Sequence, residues 1–290
     1  MKRKKKIELF DIVMYVVSAL LLLIAAYPLI LVLSNSISDP TLVAKGEVVF
    51  LPKGINFDGY TYIFENKDIM TGYANTIFYT VIGTAINLFV TVPCGYVLSK
   101  TTLPGKKFFM VYFMITMYFS GGLIPTFLLM NKLGLYNSRW SLLLLGAFSM
   151  YNCIICRSFF AGIPKELEES ACIDGCSDIG IFTKIVLPLS KALMGVMVLY
   201  FALSHWNSYF SAMVYIKDDS KQPLQVFLRR ILIQAKQQLE ASEEVVESLI
   251  ETEALIRYGV IVVSSLPLLI IYPFLQKYFD KGVLIGSVKG

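Results

Sequence analysis

Cys153 and Cys156 stand in the C-x-x-C spacing that thiol redox chemistry and zinc ligation both use. They lie inside an apolar run, however, and a cysteine buried there behaves as a small hydrophobe rather than as a thiolate. Cys172 and Cys176, at i and i+4, share one face of a helix in a segment whose thiols stay reduced. Cys94 stands alone, and no disulfide framework follows. The chain holds one histidine, too few for a histidine–carboxylate metal cluster. A phosphate loop of the form GxxxxGK[ST] is also missing, because Gly105-Lys106-Lys107 has no glycine five residues earlier. No cofactor is implied. If the chain does work, the energy comes from another polypeptide.

A second group of residues suits recognition rather than reaction. His205, Trp206, Asn207 and Tyr209 form the most polar patch inside any long apolar run, and Tyr151 with Asn152 forms a smaller one. Trp and Tyr can stack on sugar faces, while Asn and His supply hydrogen bonds. A polar side chain facing lipid costs energy, so these residues line a pathway or bond between helices. Both readings stay open at this level. The pathway reading, being free of charge, suits a neutral sugar better than an ion.

The elements that carry these patches follow from composition. The chain is 56% hydrophobic and 16% charged, where a soluble domain carries about 25% charged residues. Six windows, near 12–34, 74–98, 108–130, 140–160, 192–214 and 258–276, have the length and apolarity of a membrane-crossing helix. Apart from Arg157 near one end, none contains Asp, Glu, Lys or Arg, each of which would cost about 2.5–3.5 kcal/mol at mid-membrane. Period-2 alternation is absent, so helices are favoured over barrel strands. The expected class is an all-α polytopic membrane protein of six transmembrane helices, in contact with membrane lipid. A basic run, Lys2-Arg3-Lys4-Lys5-Lys6, precedes the first window, whose length is about twice that of a signal peptide's apolar core. The net charge of +5 forms no groove-sized patch, which argues against a nucleic-acid partner.

Loop charges orient the chain. With residues 1–11 inside, segments 99–107, 161–191 and 277–290 are also cytoplasmic and hold most of the flanking Lys and Arg. The termini are then cytoplasmic, and residues 12–276 form one transmembrane domain.

The inward segment 164–188 is polar and punctuated. Pro164 suits the start of a helix. Glu166, Glu168 and Glu169 complement the positive end of its dipole. Gly175 supplies a left-handed close. A helix of about ten residues cannot stand alone in water, and Ser170, Ala171 and Cys172 keep its side chains small. A second short amphipathic stretch, Ile179 to Leu187, leads into Pro188. The whole reads as a docking knob.

The pattern Glu169-Ser170-Ala171, Gly175, Ile185, Leu187, Pro188 resembles the EAA loop of ATP-binding cassette importer permeases, with Ser170 in place of the triplet's first alanine. The resemblance covers nearly the whole chain and narrows to the binding-protein-dependent carbohydrate-uptake permeases of the maltose type. Gly46, Leu51-Pro52, Tyr60, Trp206-Asn207 and the closing Gly286-Ser287-Val288-Lys289-Gly290 are similar to theirs. The runs 117–137 and 223–232 resemble a branch associated with complex oligosaccharides. The resemblance implies a type I importer permease fold in the cell membrane. It implies as partners a second homologous permease, two ATPase subunits and an extracellular solute-binding protein. It assigns ATPase coupling to Glu169, Ser170, Ala171, Asp174, Gly175, Ile185, Leu187 and Pro188, with Lys289 as a further contact. The solute is left open, with a non-sugar cargo as the alternative.

The outer segment 217–255 carries Leu224, Phe227, Leu228, Ile231 and Leu232 at helical spacing. It reads either as a helix lying on the bilayer or as a loop that engages the solute-binding protein. A self-contained secondary transporter would be expected to show an inverted repeat and buried coupling carboxylates; the spans hold neither Asp nor Glu.

Overall fold

The computed structural model describes residues 9–241 and 256–273. Those residues are helical wherever they are regular. The Lys2–Lys6 run, residues 242–255 of the segment 217–255, and Lys289 with the rest of the tail lie outside them. The chain divides into two compact units, Met1–Lys67 with Leu228–Leu266, and Asp68–Phe227 with Pro267–Gly290.

In the first unit, α1 (Leu9–Ser36) is apolar all round, and only Ser34, Asn35 and Ser36 at its end are buried. A helix with this composition and no covered face is suited to lipid. Its polar end is tied down by the chain that follows. Ser34 donates to the Phe50 carbonyl at 2.8 Å, and the Tyr60 hydroxyl donates to Ser36 Oγ at 2.8 Å. Asp39 caps the short α2 (Pro40–Ala44) by accepting from the Thr41 amide. Ile63 of α3 (Asp58–Glu65) is fully buried. It packs where α14 (Ile256–Pro273) presents Gly259, so that a side chain at that position would come within 2.9 Å of Ile63.

The second unit is built around α4 (Lys67–Ser99), whose buried face is small and polar: Asn75, Thr76, Gly83, Thr84, Asn87, Thr91 and Gly95. Small residues let membrane helices approach closely. At Gly95 an added side chain would meet Cys156 Cβ at 2.5 Å. The windows 108–130, 140–160 and 192–214 are each cut into pieces. In the first, α5 (Lys106–Tyr118) and α6 (Leu123–Lys132) meet at 109° across Phe119–Gly122, where Gly122 takes φ +87°. In the second, α7 (Arg139–Leu144) and α8 (Met150–Ala161) are separated at Gly146, φ +88°. After these come α9 (Lys165–Ile173), α10 (Asp178–Leu189), α11 (Lys191–Trp206) and α12 (Phe210–Tyr215). α10 widens into a π turn at Phe182–Val186 and meets α11 at 85°. Pro188 lacks the N–H that an α-helix would send back to Lys184, which accounts for the irregular ladder there. Among the described residues three helices, α1, α4 and α14, are long and apolar enough to cross a membrane, or five if each bent pair counts as one.

The amphipathic helix expected from Leu224 onward is α13 (Leu224–Ala241). Its first turn is held on protein: Leu224 and Phe227 are buried against the α4 backbone at Gly72. The preceding chain is pinned to the same end of the unit. Asn75 donates to the Ser220 and Gln222 carbonyls at 2.8 and 3.1 Å, and Asn137 Oδ1 accepts from the Lys217 and Asp218 amides. The expectation that Cys172 and Cys176 share a helical face is corrected: α9 ends at Ile173, so Cys176 lies beyond it.

Candidate functional site

Two places in the second unit gather the sequence candidates. The first is α9 with its flanks. Gly175 takes φ +77° and closes the helix, its amide donating to the Cys172 carbonyl at 3.1 Å and the Cys176 amide to Ala171 at 2.9 Å. Of the segment's small residues, Ala171 alone is buried. It sits in one cluster with Val92 and Tyr96 of α4, Cys156 and Phe160 of α8, Ile181 and Val186 of α10, and Leu193, Met197 and Phe201 of α11. Ile185 and Leu187 pack against that cluster from the side. Glu169, Ser170, Asp174, Gly175 and Pro188 are exposed. Exposed with them are two large apolar side chains, Ile173 at 86% and Ile179 at 77%. Within α9 the root is thus one small residue, with Ile163 and Cys176 packed against the same cluster on either side, and the outer surface is exposed.

Sequence reasoning missed the charge that fixes it. Glu168, which was assigned only to the helix dipole, pairs with Lys100 just past the end of α4. The Lys100 ammonium lies 4.2 Å from the centre of the Tyr96 ring. Burial alone would lower the Lys100 pKa, but its hydrogen bonds to Glu168 and Tyr96 outweigh that and hold it above the ordinary lysine value. Lys106 Nζ donates to the Lys100 and Ser99 carbonyls at 2.8 and 3.2 Å, a cation placed on the negative end of α4. The 68-residue separation of Lys100 and Glu168 left no local signal.

The second place is a recess of about 210 Å³ among α4, α7, α8, α11 and α12. It brings together two of the candidates, His205 and Asn152, with Ser149, Tyr200, Ser204, Ser208 and Ser211. None of its lining residues is Asp, Glu, Lys or Arg. Its organising residue, Asn87, was not singled out from sequence. Asn87 is 2% exposed. It donates to the Gly146 and Ala147 carbonyls at 2.7 and 2.9 Å, and its Oδ1 lies 2.7 Å from His205 Nε2. Two carbonyls of the α7–α8 break are thereby satisfied. Gly83, one turn earlier on α4, leaves the space that the His205 ring fills.

The remaining candidates are not in this recess. Trp206 is buried, with its ring edge-on to Tyr73 of α4 at 6.0 Å, which is packing between helices. Asn207 is exposed at the end of α11 and donates to the Leu203 carbonyl at 3.0 Å. Tyr209 packs against the cluster of Tyr79, Leu142 and Ile216, and Tyr151 is 59% exposed on α8.

Comparison with known proteins identifies the family. Residues 69–285 match the family described as binding-protein-dependent transport system inner membrane component. The chain is 41% identical over 285 residues to the polygalacturonan/rhamnogalacturonan transport system permease protein of Bacillus subtilis (strain 168), covering 98% of this chain and 100% of that one. It is 27% identical over 281 residues to the arabinooligosaccharides transport system permease protein of Halalkalibacterium halodurans, covering 94% of each. Among solved structures it is similar to a chain in the crystal structure of a bacterial ABC transporter involved in the import of the acidic polysaccharide alginate. That likeness has a TM-score of 0.84 at 37% identity, over 96% of this chain and 99% of that chain.

Proposed function

The chain belongs to the inner membrane components of binding-protein-dependent transport systems, and from that we propose that it is the permease subunit of an ATP-driven importer of oligosaccharides. It forms half of a pathway whose other half is a second, homologous permease. Two separate ATPase subunits hydrolyse ATP, and an extracellular solute-binding protein delivers the cargo. Residues 164–188 are the coupling loop, with Glu169, Ser170, Asp174 and Gly175 on the docking surface and Ile185, Leu187 and Pro188 setting the bend behind it. Lys289 is a further ATPase contact.

The observation that carries this reading is the arrangement of α9 and the start of α10: an exposed surface with Ile173 and Ile179 on it, joined through Ala171 to the core shared by α4, α8, α10 and α11. A push on that surface reaches the helices that line the recess. The chain crosses the membrane six times with both termini in the cytoplasm: α1, α4, the bent pair α5–α6, the segment α7–α8, α11 and α14. In support, the Lys100–Glu168 pair holds segments 99–107 and 161–191 together at one end of α4, while Asn75, Asn137 and residues 217–222 meet at the other end.

The test is reconstitution. Uptake of oligosaccharide into proteoliposomes is expected to need the ATPase, ATP and the binding protein together, and the ATPase is expected to co-purify with this chain. Uptake by this chain alone sinks the reading.

The pathway residues are His205 and Asn152 in the recess, with Asn207, Tyr209 and Tyr151 around it and Trp206 holding α11 in place. Truncating the buried Trp206 would cost about 3–5 kcal/mol in packing alone, so the informative variant is Asn207→Ala. It is expected to raise the half-saturating solute concentration severalfold without changing the amount of assembled transporter. Unaltered uptake at low solute would remove Asn207 from the pathway.

A further inference from the structure

Glu168 and Ala171 are neighbours on α9, and each binds it to α4 differently. Ala171 does so by packing with Val92 and Tyr96, and Glu168 by its pair with Lys100. Lys100 is also stacked on Tyr96. The Tyr96 ring in turn lies 4.8 Å from Phe182, in the π turn of α10. Nine residues before Tyr96 on α4, about 14 Å at 1.5 Å per residue, Asn87 holds His205 of α11 and the carbonyls of the α7–α8 break. Pro93 removes one rung between the two points. Val92 and Tyr96 on either side of it belong to a single packed cluster with Ala171, however, so the gap is bridged. The cytoplasmic half of α4 therefore has α9 fastened at one end and the recess contact at the other.

We propose that Lys100 is a positioning residue for transport: it makes α9 and the second half of α4 move as one body, so that displacement of α9 is delivered to the Asn87–His205 contact that walls the recess. This rests on the importer reading given above. A rigid connection is needed because packed interfaces switch between discrete arrangements rather than deform continuously. Within α9 itself packing runs through one alanine, with Ile163 and Cys176 packed at the helix's two ends. A charged pair one turn from Ala171 fixes the rotation of the helix face between them. The pair's side chains are 29% and 23% exposed. An ion pair with that much water adds little to stability, so its loss is expected to appear in coupling rather than in folding.

The experiment uses the complete transporter in proteoliposomes, with solute uptake and ATP hydrolysis measured on the same preparation. Lys100→Met and Glu168→Gln are each expected to lower solute moved per ATP by about fivefold, with assembly unchanged. The exchanged pair, Lys100→Glu with Glu168→Lys, is expected to restore most of it. A second arm places Lys100→Cys and Glu168→Cys in a chain whose five native cysteines are replaced by alanine. The two are then bridged with a short bifunctional thiol reagent. A one-body connection predicts that transport continues after bridging. Parent-level coupling in both single variants, or arrest on bridging, overturns the proposal, and the bridging arm decides if a single variant assembles poorly. A parent transporter whose uptake ignores ATP overturns the importer reading itself, and this inference with it.

Discussion

Gly175→Val is expected to cut ATP-driven uptake by about tenfold or more, the effect of losing at least 1.4 kcal/mol of docking, while Gly175→Asn keeps most of it. The contrast follows from the geometry. Gly175 takes φ +77°, where an ordinary L-residue costs about 1–2 kcal/mol and a β-branched one is a steric outlier. Asparagine tolerates that region. A Cβ built at Gly175 meets nothing within 4 Å, so the strain of either change lies in the backbone rather than in a clash at Cβ. What valine does is disturb the two amide bonds that close α9, from Gly175 and Cys176 to Cys172 and Ala171. It also puts a branched group on the exposed surface. Uptake in vesicles, normalised to assembled transporter, checks the prediction. A valine variant that assembles and transports normally would show that the end of α9 is not gripped.

Asn87→Leu is expected to destabilise the chain by several kcal/mol and to abolish uptake. Leucine has the same number of side-chain heavy atoms in the same branched outline, so the main change is one of hydrogen bonding. An interhelical bond in a membrane protein contributes about 1–2 kcal/mol at most. Asn87 makes three contacts, however, and its removal strands the Gly146 and Ala147 carbonyls and His205 Nε2. Each orphaned group adds about 1–3 kcal/mol. The midpoint of thermal unfolding of the purified protein in detergent reads the effect directly. His205→Ala, which strands one atom of Asn87 rather than three of its partners, is expected to lower that midpoint less. Equal midpoints for parent and Asn87→Leu would mean that the α7–α8 break is held by something else.

The apolar character of the windows, the polar segment 164–188 and its glycine close were legible because they depend on local quantities: hydropathy over some twenty residues, and backbone freedom at one position. The family membership was legible for a similar reason, since the motif from Glu169 to Pro188 spans twenty residues in unbroken spacing. The breaks inside the windows were harder to see. Gly122 and Gly146 adopt positive φ in stretches whose composition is as apolar as any helix, and a glycine in lipid serves close packing as readily as a turn.

The amino-acid sequence by itself determined that this protein lives in lipid, that its polar loop 164–188 forms a short helix closed at Gly175, and that it carries no phosphate loop of its own. Tertiary structure alone decided which side chains face each other. It paired Glu168 with Lys100, put Asn87 at the centre of the recess, and turned Trp206 away into packing against Tyr73. The physical reason is separation along the chain. Hydropathy and turn chemistry act over a few residues, whereas a charge pair 68 residues apart or a hydrogen bond 118 residues apart exists only once the helices have met.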